Sequence, residues 1–131
     1  MYSEESMKTE GAFSWNELMT SDVEGAKAFY GELLNWQLVD EETSCGNYTF
    51  AKLGDKQLAG IMALPEESKE MRPSWGAYIT VDDVDATAAK VQQLGGKVLV
   101  GPQDMPDVGR FVVIQDPQGA CISLITYSCV E

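Results

Sequence analysis

Ser21-Asp22-Val23-Glu24 and, 61 positions later, Asp82-Asp83-Val84-Asp85 are one local device used twice in a chain of 131 residues. Each joins a strand-like run to a short amphipathic helix. Phe13-Ser14-Trp15-Asn16-Glu17-Leu18-Met19 precedes the first, and Ser74-Trp75-Gly76-Ala77-Tyr78-Ile79-Thr80-Val81 the second, both rich in aromatic or branched residues. Within each device Ser21 or Asp82 is placed to cap a helix. The acid three residues on, Glu24 or Asp85, completes a capping box or favours the positive end of the helix. The stripes Val23, Ala26, Phe29, Tyr30, Leu33, Leu34 and Val84, Ala88, Val91, Leu94 follow at helical spacing, so each helix is predicted to bury one face. Asn35 and Gly96 are the expected stops, since both tolerate the left-handed conformation that commonly ends a helix.

After each helix the pattern is of three strands. In the first half they are read as Trp36 to Val39, Tyr48 to Leu53 and Leu58 to Leu64, with Leu53-Gly54-Asp55-Lys56 as a hairpin turn. The second half gives Lys97 to Val100, Phe111 to Ile114 and Ala120 to Thr126, with Asp116-Pro117-Gln118-Gly119 turning between the last two. The unit is βαβββ, repeated over about 12–65 and 74–128, with a charged, proline-flanked linker over 65–73 and a disordered polar tail over 1–10. A single copy at this spacing implies two half-domains sharing one core rather than an open array. The expected site then lies between the halves.

Bulk properties set the context. A hydrophobic content of 44% suits one globular domain over 11–131. No stretch is apolar enough to span a membrane, and the N-terminus lacks the basic-then-apolar pattern of a signal peptide, so a cytoplasmic protein is expected. Cys45, Cys121 and Cys129 show neither disulfide-framework nor zinc spacing and read as incidental thiols. A net charge of −12 argues against nucleic acid and anionic lipid as partners.

The paired βαβββ unit, the run from Ser21 to Trp36 containing Ala28-Phe29-Tyr30 and Leu33-Leu34-Asn35-Trp36, and Gly109-Arg110 followed by Asp116-Pro117-Gln118-Gly119 together resemble the vicinal oxygen chelate superfamily. Its members include glyoxalase I, extradiol dioxygenases and bleomycin- and fosfomycin-resistance proteins. Trp15-Asn16-Glu17-Leu18 is similar to the Trp-x-Glu-Leu signature of a glyoxalase-like subgroup with little defined chemistry. The resemblance implies an α+β fold in which the two modules form a curved, mixed eight-stranded sheet around a cavity. It also implies homodimers.

Metal-dependent members of the superfamily hold a divalent ion with His or Glu side chains from the first and last strands of both halves. By resemblance these four positions fall at Trp15, Gly60, Gly76 and Ser123, and none is a usual ligand. The chain has no histidine, and only Glu17 among its acids is expected to point inward, too few oxygen ligands for magnesium or manganese. The expectation is no metal and no cofactor.

Strand alternation gives the remaining inward residues. Trp15, Glu17 and Met19 share one side, as do Gly76, Tyr78 and Thr80; the last strands add Gly60, Met62, Cys121, Ser123 and Ile125. Leu18, Ile79, Ile122 and Leu124 would meet the helices. Apolar walls with a few polar handles suit a small organic ligand. Trp15 is either a stacking platform or a filler of the space a metal would take. Met19 and Met62 are ligand contacts or adaptable packing. Gly60 and Gly76 leave room for a ligand or mark close backbone approach. Tyr78 and Ser123 offer hydrogen bonds, and Arg110 is a candidate for an anionic ligand group or for a surface salt bridge. Glu17, with Tyr78, is the candidate acid–base group, because a carboxyl in an apolar cleft has its pKa raised. Alternatively Glu17 reaches solvent or pairs with Arg72 or Arg110.

Three functions follow from this lining. The first is a metal-independent protein binding a small organic ligand between the modules. The second is a lyase or isomerase using Glu17 as acid or base. The third is a dimerisation or regulatory module without a ligand.

Overall fold

The computed structural model describes residues 5–43, 46–65, 72–105 and 108–128. Cys45, Cys129 and most of the linker lie outside them. Among the described residues the strands are β1 (Phe13–Thr20), β2 (Gln37–Thr43), β3 (Gly46–Leu53), β4 (Lys56–Ala63), β5 (Ser74–Thr80), β6 (Lys97–Met105), β7 (Gly109–Gln115) and β8 (Cys121–Tyr127). The helices are α1 (Val23–Leu34) and α2 (Val84–Gln93). Two compact units result: a first module, Asn16–Gly76, and a second made of the described parts of Met1–Trp15 and Ala77–Glu131.

Both helices start one residue later than the capping pattern suggested. Asp22 and Asp83 are the N-caps, each accepting a hydrogen bond from a backbone N–H three residues on, Gly25 at 2.9 Å and Ala86 at 3.1 Å. A carboxylate adjoining the first turn satisfies an otherwise orphaned donor, whichever neighbour precedes it. Asn35 ends α1 in the left-handed conformation at φ 58°, as expected. In the second module the residue of positive φ after α2 is Gly95, at +92°, one position before the aligned Gly96.

In the first module the strand order is β2-β3-β4-β1, with β1 parallel to β4 and the other pairs antiparallel. Leu18, Ala51, Ala59 and Ile61 are buried. Gly31 of α1 approaches Leu38, so the helix covers the side that Leu38 shares with Ala51 in register. Lys27 reaches the same side to pair with Asp40 at 2.8 Å, and Asp40 accepts from Thr49 at 2.7 Å. The expected apolar seal is absent: no residue of α1 is fully buried. Phe29, Leu33 and Leu34 are exposed. Phe29 and Tyr30 instead join Trp36 and Trp75 in an aromatic cluster, with Trp75 Nε1 donating to the Tyr30 hydroxyl at 3.1 Å.

The second module repeats this topology as β5-β8-β7-β6. Val84 and Ala88 of α2 pack with Val81, Val112 and Leu124 in a buried cluster that Ile79, Val91, Val98, Ile114 and Ile122 surround. β6 runs beyond the expected Val100 to Met105, passing Gly101 and Pro102 within the second of two register shifts. An edge strand accepts a proline where the ladder is already irregular.

Residues 5–12, most of which fall in the polar tail expected over 1–10, are tied to this module. Gly11 N–H donates to the Thr80 carbonyl and Thr80 N–H to the Ala12 carbonyl, both at 2.8 Å. The Thr80 hydroxyl donates to the Ser6 carbonyl at 2.7 Å, and a Glu10 carboxyl oxygen accepts from Asp82 N–H at 2.6 Å. Glu10 thus adds a further carboxylate to Asp83 and Asp85 at the N-terminal end of α2, where partial positive charge gathers.

Candidate functional site

In the first module, register alone assembles a face. Glu17 lies beside Gly60 and Met19 beside Met62 across β1 and β4, and paired residues share a side of the sheet. Phe50 lies opposite Gly60 across β3 and β4, and Tyr48, two residues earlier, shares its side. The Tyr48 and Phe50 rings meet edge to face, with centroids 5.0 Å apart. Glu17 is 8% exposed, and its Oε2 accepts a hydrogen bond of 2.8 Å from the Tyr48 hydroxyl. A carboxyl withdrawn from water needs such a donor, since an unpartnered buried polar group is costly. Glu17 is therefore not the solvent-reaching side chain of the plainer reading. Met19 and Met62 are half-buried on the same face.

Tyr48 is the residue that sequence reasoning missed. The inward residues expected from alternation stand on the first and last strands of each half, whereas Tyr48 stands on β3. Two signals pointed to it: its alternation with Phe50, and the glycine at position 60, which allows a large neighbour to lie flat.

Gly60 proves to be close packing rather than vacant room. A Cβ built there would overlap the Tyr48 ring and hydroxyl. Gly76 is exposed, and a Cβ there would stand 4.0 Å from the Glu17 carbonyl oxygen, ordinary contact.

In the second module Tyr78 pairs in register with Ser123, and Thr80 with Ile125. Tyr78 is 7% exposed, Ser123 half-buried and Cys121 exposed. Trp15 is half-buried. The far end of this face is occupied from within the chain, because the residue 5–12 segment reaches Thr80, and Ser14 and Tyr127 share a hydrogen bond of 2.7 Å.

Arg110 belongs to the opposite side. It pairs in register with Thr126, one step out of phase with the Phe111–Ile125 pair, so it points towards α2. Its Nε and Nη2 donate to the two carboxylate oxygens of Asp85 at 2.9 and 3.1 Å, and Nη1 donates to Asp104 at 3.0 Å. These bonds hold the Asp85 carboxyl below its ordinary range and raise the guanidinium further above its own. Arg110 thus makes the surface salt bridge given as the alternative to an anionic ligand, and it does so with two acids. A depression of about 320 Å³ beside it is lined by Asp104, Met105, Gly109, Thr126 and Tyr127, and the one cation in its wall is already neutralised.

A family profile described as Glyoxalase/Bleomycin resistance protein/Dioxygenase superfamily matches residues 12–124. The chain belongs to this superfamily. CFP32 of Mycobacterium tuberculosis (strain CDC 1551 / Oshkosh), provisionally named a glyoxylase, is 41% identical over 116 residues, which are 88% of this chain and 44% of that protein. The anthracycline biosynthesis protein DnrV of Streptomyces peucetius is 29% identical over 127 residues, 87% of this chain and 46% of that one. The chain thus spans less than half the length of these curated relatives. Among solved structures, a Streptomyces coelicolor methylmalonyl-CoA epimerase variant in complex with 2-nitronate-propionyl-CoA superposes at a TM-score of 0.65. It is 17% identical, with 94% of this chain and 99% of that chain covered. This likeness is one of fold: α+β, two βαβββ modules and eight strands of mixed direction.

The metal known from the superfamily does not fit these residues. At the four positions that the resemblance assigns to metal ligands, Trp15, Gly60 and Gly76 bring no donor side chain and Ser123 brings a neutral hydroxyl. At Gly60 the space for any longer side chain is taken by Tyr48. Among the described residues no three of His, Cys, Asp and Glu come together as a metal site.

Proposed function

We propose that this protein is a metal-independent small-molecule-binding member of the superfamily. The first module would offer Glu17 as hydrogen-bond acceptor to a small, largely apolar ligand carrying a hydroxyl or N–H donor and no negative charge. The observation that carries this reading is Glu17 itself, a carboxyl 8% exposed and paired with a phenol on a face with Met19, Met62 and Phe50. Few polar groups on an apolar face suit orientation of an organic molecule. Charge narrows the class, because the net charge is −12 and Lys27 and Arg110 are held in ion pairs on the helix sides of their modules. On the second module Tyr78 and Ser123 are proposed as polar contacts, with Trp15 as an apolar one.

We take the protein to act as a cytoplasmic homodimer. No described helix is long and apolar enough to cross a membrane. Native mass spectrometry without added metal tests subunit count and retained mass together.

The binding test uses two aromatic probes of one shape. Expected is that 2-naphthol binds and 2-naphthoate binds at least about tenfold more weakly, since like charges near an acidic site repel. Glu17→Gln should fold normally and change 2-naphthol affinity about tenfold, the scale of a charge-assisted hydrogen bond. Equal affinity in both proteins, or one divalent metal retained per chain, would overturn the reading. A lyase or isomerase in which Glu17 moves a proton rests on the same buried carboxyl. Its mark would be a retained adduct released in chemically altered form by the native protein and unaltered by Glu17→Gln.

A further inference from the structure

Two facts meet at position 60, which by resemblance is one of the superfamily's four metal-ligand positions. It lies in register with Glu17. It also carries no side chain, and the space one would fill holds the Tyr48 ring, whose hydroxyl donates to Glu17 Oε2 at 2.8 Å. We propose that Tyr48 is the positioning residue of the first module's site. Its ring stands where a ligand-bearing side chain on β4 would stand, and its hydroxyl fixes the direction in which Glu17 presents its carboxylate.

Each part has a physical reason. A glutamate has three side-chain torsions to restrict, and a short charge-assisted bond from a rigid phenol removes much of that freedom before a ligand arrives. The phenol is itself held, because Phe50 braces the Tyr48 ring edge to face. Glycine at 60 is the condition for the arrangement, since even a methyl group there collides with the ring. An added carboxylate or imidazole at 60 would have to expel Tyr48 first, so the site holds either the phenol or a metal ligand.

The directing role rests on reading Glu17 as the ligand's acceptor, while the placement of the ring does not, and the experiment separates the two. For placement, Gly60→Ala is made in the native protein and in a Tyr48→Ala background. The melting temperature should fall by several degrees in the first and stay level or rise in the second, because the ring that the added methyl would strike is then gone. An equal fall in both backgrounds overturns the placement. For direction, Tyr48→Phe keeps the ring and removes the bond. Its 2-naphthol affinity should drop about tenfold in the native protein, with no further drop in a Glu17→Gln background. The same drop in both overturns the directing role. Proton NMR reads the bond without any ligand: a protected Tyr48 hydroxyl resonance should vanish in Tyr48→Phe and shift in Glu17→Gln. Its absence from the native protein overturns the bond. Failure of 2-naphthol to bind defeats the functional reading alone, and the melting and NMR arms still decide where Tyr48 stands and what it holds.

Discussion

Val84 on α2 is 2% exposed and packs among Val81, Val112 and Leu124, whereas α1, its counterpart 61 residues earlier, buries no residue fully and leaves Phe29 and Leu33 about 60% exposed. The cause can be read by laying one helix on the other. Where α2 has Ala88 against its sheet, α1 has Lys27, which buries its stem and turns its ammonium to Asp40 and Glu24. Where α2 has the outward Lys90, α1 has Phe29. The duplicated device places helix starts, ends and direction in both modules. It does not dictate whether helix and sheet meet through carbon or through charge.

The sharpest way to test this asymmetry is to trim the same position in both helices. Val84→Ala should cost about 2 kcal/mol and Val23→Ala less than half of that, measured by urea unfolding, because only the first empties a sealed core. Comparable losses would mean that α1 is packed as tightly as α2.

A smaller effect tests the polar contact. Thr49 and Lys27 both donate to Asp40, and Lys27 contributes most to holding that carboxyl below its ordinary value of 3.8. In Lys27→Met it should return part of the way, visible in an NMR titration. The sign is that of a depressed acid: the favourable term is present above the ordinary value and lost as pH falls through the lowered one. Lys27 itself is held above its ordinary 10.5 by Asp40 and Glu24, so it stays charged throughout that range. Native protein and variant should therefore differ most at neutral pH and converge in acid; a difference that grows in acid would refute the pairing. Smallest of all, Leu33→Ser on the exposed side of α1 should change stability by no more than about 0.5 kcal/mol in the same unfolding assay. A larger loss would show that this side is covered in solution.

The sequence made the architecture legible through periodicity, since both βαβββ units, their helices and the turn at Asp116 follow from alternation, capping and glycine chemistry. Helix boundaries slipped by one residue because Ser21 and Asp22, like Asp82 and Asp83, are both competent caps and adjacency alone does not choose between them. Residues 5–12 look polar in isolation, and their hydrogen bonds to Thr80 and Asp82 are contacts that local pattern does not reveal. At the candidate site, Glu17 was found by strand alternation, but Arg110 was not tested against the same rule, which puts it out of phase with Ile125. Tyr48 stayed hidden because a contact between strands distant in sequence depends on register, and period-two patterning sets sides without setting register.

The aromatic cluster of the first module turns the protein's own light into a local gauge. Trp36 and Trp75, two of its three tryptophans, stand 6.1 Å apart with Tyr30 bonded to one and stacked on the other, and the second module has Trp15 alone. Emission during denaturation therefore follows mainly the loosening around α1. Backbone dichroism weighs both modules. If the module with the thinner seal yields first, the two traces will part, and their separation will measure how independently the copies of one ancestral pattern stand.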